Sequence, residues 1–181
     1  MRYNQIRECD IANGEGIGVA LFVQGCHFKC KNCFNPETWD FNGGKEWTQE
    51  VEDKFIELAS KPYIKRISLL GGECLADENL DGILNLVNKL RLLFPNKSIW
   101  IYSGYTWNQV MNPVITDDFN PSRDELLRKR KEIVKQCTVM VDGRYIDSQR
   151  NPSKKFAGSD NQKVIDVQQS LIKRKVVLYC D

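Results

Sequence analysis

Cys26, Cys30 and Cys33 fall inside one short stretch, Gln24-Gly25-Cys26-His27-Phe28-Lys29-Cys30-Lys31-Asn32-Cys33-Phe34-Asn35-Pro36. With 7 cysteines in 181 residues, chance would supply about 0.01 examples of this C-x3-C-x2-C spacing. Thiolates so close together on a loop can converge on one inorganic centre, and soft sulfur selects zinc, copper(I) or an iron-sulfur cluster. A structural zinc closes with four ligands, usually paired cysteines or cysteines with histidines. This chain has no second C-x2-C, and its single histidine, His27, adjoins Cys26 and suits the same tetrahedron poorly. Three cysteines holding a four-iron cluster would instead leave one iron open to a small molecule. A zinc-binding interaction module, completed by a distant thiol such as Cys9, is the competing reading outside enzyme chemistry.

The elements that must position these groups alternate between strand and helix. Val19-Ala20-Leu21-Phe22-Val23 is an apolar strand feeding the cysteine loop, and Ile64 to Leu70 is a second strand running directly into Gly71-Gly72-Glu73. Ile99 to Tyr102 ends at Ser103-Gly104, and Thr138 to Val141 ends at Asp142-Gly143. Val164 to Val167 and Val176 to Tyr179 read as edge strands. Thr48 is an N-cap for a helix carrying Val51, Phe55, Ile56 and Ala59, which Pro62 stops. Leu80, Ile83, Leu84, Val87, Leu90 and Leu93 trace a second helix, and 124–135 a third, with a loop over 113–122 between. Such alternation implies a parallel sheet with helices outside, and ligands in such sheets sit beyond the carboxyl ends of the strands, where these motifs fall. A full eight-unit barrel needs about 200 residues or more, so an open, partial (β/α) barrel fits the length. Gly14, Gly16 and Gly18 are followed by a strand and not a helix, which excludes a dinucleotide fingerprint.

The cysteine spacing on the loop after a first strand resembles the signature of the radical S-adenosylmethionine (SAM) enzymes. More narrowly, Asn13-Gly14-Glu15-Gly16, Phe22 to Cys26, Cys33-Phe34-Asn35-Pro36-Glu37-Thr38-Trp39, Val141 to Ile146 and Lys155 to Gln162 resemble the activating enzymes of the anaerobic ribonucleotide reductases. The resemblance implies a [4Fe-4S] cluster on Cys26, Cys30 and Cys33, whose free iron chelates the methionine part of SAM. Reduction of the sulfonium then releases a 5′-deoxyadenosyl radical, which takes a hydrogen from one glycine Cα in the large subunit of the anaerobic ribonucleoside-triphosphate reductase. It implies that Gly71, Gly72 and Glu73 hold the SAM amino group, that Asn32, Cys33 and Phe34 lie beside the adenine, and that Ser103 and Asp142 stand near the cofactor. It implies a low-potential electron donor such as flavodoxin. The family usually has proline after G-G-E where this chain has Cys74. An activase of the pyruvate formate-lyase type is the rival within the class, but its usual phenylalanine-aspartate-glycine-proline-glycine opening is absent.

The bulk numbers agree with one globular domain over 1–181, with 41% apolar and 28% charged residues. Net charge is +2, which argues neither for nor against a polyanionic partner. The run Arg128-Lys129-Arg130-Lys131 is interleaved with Glu125 and Glu132 and reads as a solvated helix face, so no direct nucleic-acid contact is expected. No apolar segment reaches the roughly 20 residues that span a bilayer, and the amino terminus lacks a signal-peptide core. A cytoplasmic protein without membrane contact is the expectation, with Cys9, Cys74, Cys137 and Cys180 as buried thiols and not disulfides.

Overall fold

In the computed structural model, which describes residues 1–113 and 120–180, the strands are β1 (Arg2–Asp10), β2 (Gly18–Val23), β3 (Lys45–Glu46), β4 (Arg66–Gly71), β5 (Ser98–Tyr102), β6 (Val139–Asp142), β7 (Lys163–Asp166) and β8 (Leu178–Cys180). They form one eight-stranded sheet in the order β3-β1-β2-β4-β5-β6-β7-β8. The inner strands β2, β4, β5 and β6 are parallel, and the margins are antiparallel. The helices are α1 (Gln49–Ser60), α2 (Leu80–Leu93), α3 (Trp107–Met111), α4 (Pro121–Gln136) and α5 (Val167–Lys173).

Side-chain alternation along each strand sorts the two faces. Val19, Leu21, Val23, Ile67, Leu69, Ile99, Ile101, Met140 and Ile165 join Phe55, Leu86, Val110 and Ile133 of the helices in one core. The opposite face carries Ala20, Phe22 and Leu70, with Trp100, Val139, Val141 and Val164, and belongs to two smaller clusters that contain no helix residue. Helices cover one face, and the other is left to loops and cavities. This is the α/β architecture expected from the alternation. The outermost strands β3 and β8 are not paired with each other, so the sheet does not close on itself.

Local signals explain most of the elements. Thr48 accepts from the Val51 N–H at the start of α1, and α2 occupies the predicted 80–93. Pro121 and Ser122, expected in a loop, are the first turn of α4, where Asn120 accepts from the Arg123 N–H and proline loses nothing at a position with an unused N–H. The rest of that expected loop, 114–119, lies outside the described residues. Val167, expected at the end of a strand, instead opens α5, because the Asp166 side chain accepts from the Gln169 N–H and caps the turn. Of the remaining cysteines, Cys74 and Cys137 are buried thiols as expected, whereas Cys9 on β1 is exposed.

One buried cation organises the open face. Arg66 on β4 is fully buried, and its Nη2 donates to Asp10 Oδ1 at 2.9 Å and to the Asp10 carbonyl at 2.8 Å. It also donates to the Asn13 carbonyl and, at 3.3 Å each, to the carbonyls of Glu15 and Gly16. The 11–17 loop is thereby strapped across the sheet, and the Tyr179 hydroxyl of β8 reaches Glu15 from the far margin. Gly14 has φ +125°, and a Cβ there would fall 2.5 Å from Arg66 Cδ, so the loop path requires glycine.

Candidate functional site

The cysteine loop begins where β2 ends and is closed at its base by backbone bonds. The Gly25 N–H donates to the Thr38 carbonyl at 2.8 Å and the Cys26 N–H to the Trp39 carbonyl at 3.1 Å. Gln24, 1% exposed, donates from Nε2 to the carbonyls of Glu37 and Asp40 at 2.9 and 2.7 Å, and the Thr38 hydroxyl donates to the Asn35 carbonyl at 2.7 Å. Residues 35–40 thus fold back under the loop and hold its two ends together. Within it Lys29 and Asn32 take positive φ, which turns the chain tightly enough to bring successive cysteines to one side.

Cys26, Cys30 and Cys33 line a single cavity of about 120 Å³ with Gly71, Gly72, Glu73, Ser103 and Gly104. Burial pushes the thiols of Cys26 and Cys30 above their ordinary range. Neighbouring backbone amides oppose this, those of Phe28 and Lys29 at Cys26 and that of Tyr145 at Cys30. The Asn35 N–H donates to the Cys33 sulfur at 3.4 Å. Amide donors aimed at sulfur suit thiolates on a metal better than neutral thiols. His27 is exposed and pairs with Glu78 at 2.9 Å, and so does not join the cysteines. Among the described residues no three His, Cys, Asp or Glu side chains gather closely enough for one metal ion. A four-iron cube offers separate corners to spaced thiols, so this donor set fits a cluster better than a single tetrahedral zinc.

The strand ends β4 and β5 complete the wall. The Gly72 N–H donates to the Val23 carbonyl at 2.9 Å and the Glu73 N–H to the Gly25 carbonyl at 2.7 Å, which joins the two loops edge to edge. A Cβ on Gly72 would lie 2.4 Å from the Gly25 oxygen. Gly72→Ala must therefore separate the loops, and a loss of about 1–3 kcal/mol in urea unfolding is expected, with weakened iron loading. The Glu73 side chain, expected to face a ligand ammonium, points instead into the wall. Its Oε1 accepts from the Leu75 N–H at 2.8 Å and the Ser103 hydroxyl at 2.7 Å, and its Oε2 from the Gly104 N–H at 2.7 Å. Burial holds the carboxyl above its ordinary range. Glu73→Gln turns one of these buried acceptors into a donor facing a donor, which should cost about 1–3 kcal/mol in the same measurement.

Of the other expected site residues, Phe34 lies in the mouth of the cavity but is 77% exposed, so it does not shield the thiols by burial. Asn32 faces a larger neighbouring cavity of about 620 Å³ on the open face and donates to Asp147 at 2.9 Å. Asp142 stands apart. Its oxygens accept from the Trp107 N–H at 2.7 Å and the Lys163 N–H at 3.1 Å, so it joins α3 and β7 to β6 and is not among the residues lining either cavity. Phe28, Arg144 and Tyr145 line the cysteine cavity and carry no metal-ligand signal of their own in the sequence. The stretch 155–162 braces the turn after β6. Gln162 Nε2 donates to the Gly143 carbonyl at 2.9 Å, Asn161 Nδ2 to the Arg144 carbonyl at 2.8 Å, and the Ile146 N–H to the Ser159 hydroxyl at 3.1 Å.

A family model described as a 4Fe-4S single cluster domain matches residues 12–165, which places the loop of three cysteines in a protein class built around one such cluster. The chain is similar to three proteins named anaerobic ribonucleoside-triphosphate reductase-activating protein. That of Vibrio cholerae is 35% identical over 164 residues, 90% of this chain and 96% of the relative. Those of Escherichia coli K12 and Enterobacteria phage T4 are 36% and 34% identical, each over 91% of this chain and over 97% and 93% of the relative. The chain belongs to the family of anaerobic ribonucleoside-triphosphate reductase-activating proteins.

Proposed function

We propose that this family member is a radical SAM activase that generates a glycyl radical on the anaerobic ribonucleoside-triphosphate reductase. The observation that carries the reading is the meeting of Cys26, Cys30 and Cys33 with the Gly71–Gly72 backbone in one cavity. When bound, a [4Fe-4S] cluster supplies one low-potential electron to the SAM sulfonium, giving methionine and a 5′-deoxyadenosyl radical that takes a glycine Cα hydrogen. Cys26, Cys30 and Cys33 would hold it, with the Asn35 N–H donating to the Cys33 sulfur and the backbone amides of Phe28, Lys29 and Tyr145 beside the other two. Glu73, with both oxygens occupied, acts by fixing Ser103 and Gly104 against the G-G-E turn, and the ammonium contact falls to the backbone of Gly71 and Gly72.

The whole chain serves as one radical SAM domain. The one-sided helical layer and unclosed sheet support a partial, open (β/α) barrel, whose loop-bordered face admits a loop of another protein into the 620 Å³ cavity. The electron donor in this reading is a low-potential protein such as flavodoxin. No helix among the described residues is long and apolar enough to cross a membrane. The basic run on α4 is spent internally, since Arg128 pairs with Glu125 and Glu132 at 2.9 and 2.6 Å and buried Arg130 donates to the Leu75 carbonyl, which argues against nucleic acid as a partner. Similarity to reductase-activating proteins, 35–36% identity across nine tenths of the chain, favours this target over pyruvate formate-lyase. Mixing reduced, iron-loaded protein with SAM and the reductase large subunit should give the glycyl doublet in electron paramagnetic resonance. SAM cleavage without that doublet would exclude this target.

A further inference from the structure

We infer that Arg144 supplies a fixed positive charge to the Cys30 side of the metal centre and thereby sets how readily that centre accepts an electron. The inference rests on the cluster reading above. Arg144 lines the cavity of the three cysteines, with its Cζ 4.2 Å from the centroid of the Phe28 ring, which meets Tyr105 edge-on at 5.0 Å. An aromatic face attracts a guanidinium without neutralising it. Among the described residues no carboxylate pairs with Arg144, in contrast to Arg66, Arg128 and Arg130. The next residue, Tyr145, lines the same cavity, and its backbone amide acts on Cys30. This one turn thus brings both a charge and an amide dipole to the same ligand.

The turn is a built feature. Its carbonyls at Gly143 and Arg144 are held by Gln162 and Asn161, its Ile146 N–H by Ser159, and Gln162 Oε1 accepts in turn from the Gly158 N–H at 2.9 Å. A polar stretch far along the chain is therefore occupied in holding 143–146 beside the cysteines. The electrostatic consequence has a definite sign. Three thiolates surround the centre with negative charge, and one-electron reduction adds another. A nearby cation favours the more negative state and raises the reduction potential, and local hydrogen bonds to sulfur act in the same direction. Because Arg144 is exposed, its contribution is screened by salt.

The test is a redox titration with dithionite as the electron source, followed by electron paramagnetic resonance on anaerobically iron-loaded protein, without SAM or the reductase. Arg144→Gln is expected to lower the midpoint potential beyond the spread of replicates, Arg144→Lys to stay near the native value, and the gap between them to narrow in molar salt. An iron-loaded Arg144→Gln protein with the native potential would overturn the inference, as would equal displacement by Gln and Lys. If Arg144→Gln does not load iron, Gln162→Ala, which loosens the brace on Gly143, should displace the potential downward, and an unmoved potential there overturns the inference equally. Native protein that takes up no four-iron centre would instead refute the cluster reading itself.

Discussion

Any single replacement among Cys26→Ala, Cys30→Ala and Cys33→Ala is expected to eliminate reductive SAM cleavage and most of the bound iron while leaving the fold intact. The cleavage loss should exceed the roughly 10–100-fold typical of removing an outer-shell partner, because a ligand itself is gone. The fold should survive because the loop is closed by Gly25–Thr38, Cys26–Trp39 and the Gln24 side chain, none of which uses a thiol. All three cysteines are only partly buried, so little packing is lost. Anaerobic SAM cleavage assays and circular dichroism read the two halves of the prediction. Retained turnover in any of the three variants would remove that cysteine from the ligand set.

The second large effect falls on stability. Arg66 and Asp10 form an ion pair with side chains 0% and 2% exposed; removing Asp10 takes away the carboxylate that pairs with the buried guanidinium, and removing Arg66 leaves Asp10 only the half-exposed Arg7 at 3.9 Å. Arg66→Met or Asp10→Asn should each cost about 3–5 kcal/mol in urea unfolding, and the double replacement less than their sum. Both should also free the 11–17 loop, whose Ala12 and Asn13 line the larger cavity. The pH dependence has a fixed sign. Burial alone would raise the Asp10 carboxyl, but the Asn13 N–H and the Arg66 guanidinium together hold it below 3.8. A depressed carboxyl contributes stability that is complete above its unfolded value and is lost as pH falls through the folded one. Native protein should therefore keep this contribution down to about pH 4, and the acid-induced loss should be smaller in Asp10→Asn. A cost under about 1 kcal/mol for either single replacement would show the pair to be energetically idle.

What could be read from the residues and what could not divides along physical lines. β2 and the 99–101 and 139–141 stretches of β5 and β6 were legible as unbroken apolar runs, β4 as Ile67, Leu69 and Leu70 interrupted by Ser68, and α2 because its apolar stripe keeps helical spacing throughout. β1 was not, because Arg2-Tyr3-Asn4-Gln5-Ile6-Arg7-Glu8-Cys9-Asp10 carries almost no apolar pattern and is a strand by pairing with β2 and β3. Helix α3 was missed because five residues are too short for periodicity, although the capping box of Thr106 and Gln109 marks its start. In the site, the cysteine spacing and the G-G-E turn announced themselves through residue type. The orientation of the Glu73 carboxylate was not legible, since it depends on the donors Ser103 and Gly104 thirty residues further on. The stretches holding Arg144 and the 158–162 brace stood out by resemblance, but their roles did not, because their chemistry lies in tertiary contacts and not in spacing.

The central claim is that three cysteines hold a four-iron centre with one position left for SAM. It is tested most directly by counting metal and sulfide in anaerobically purified protein and recording the spectrum of the reduced centre before and after adding SAM. The expected result is about four irons and four acid-labile sulfides per chain, with a paramagnetic signal that changes when SAM is added. One zinc per chain, or a reduced centre whose signal ignores SAM, would contradict it.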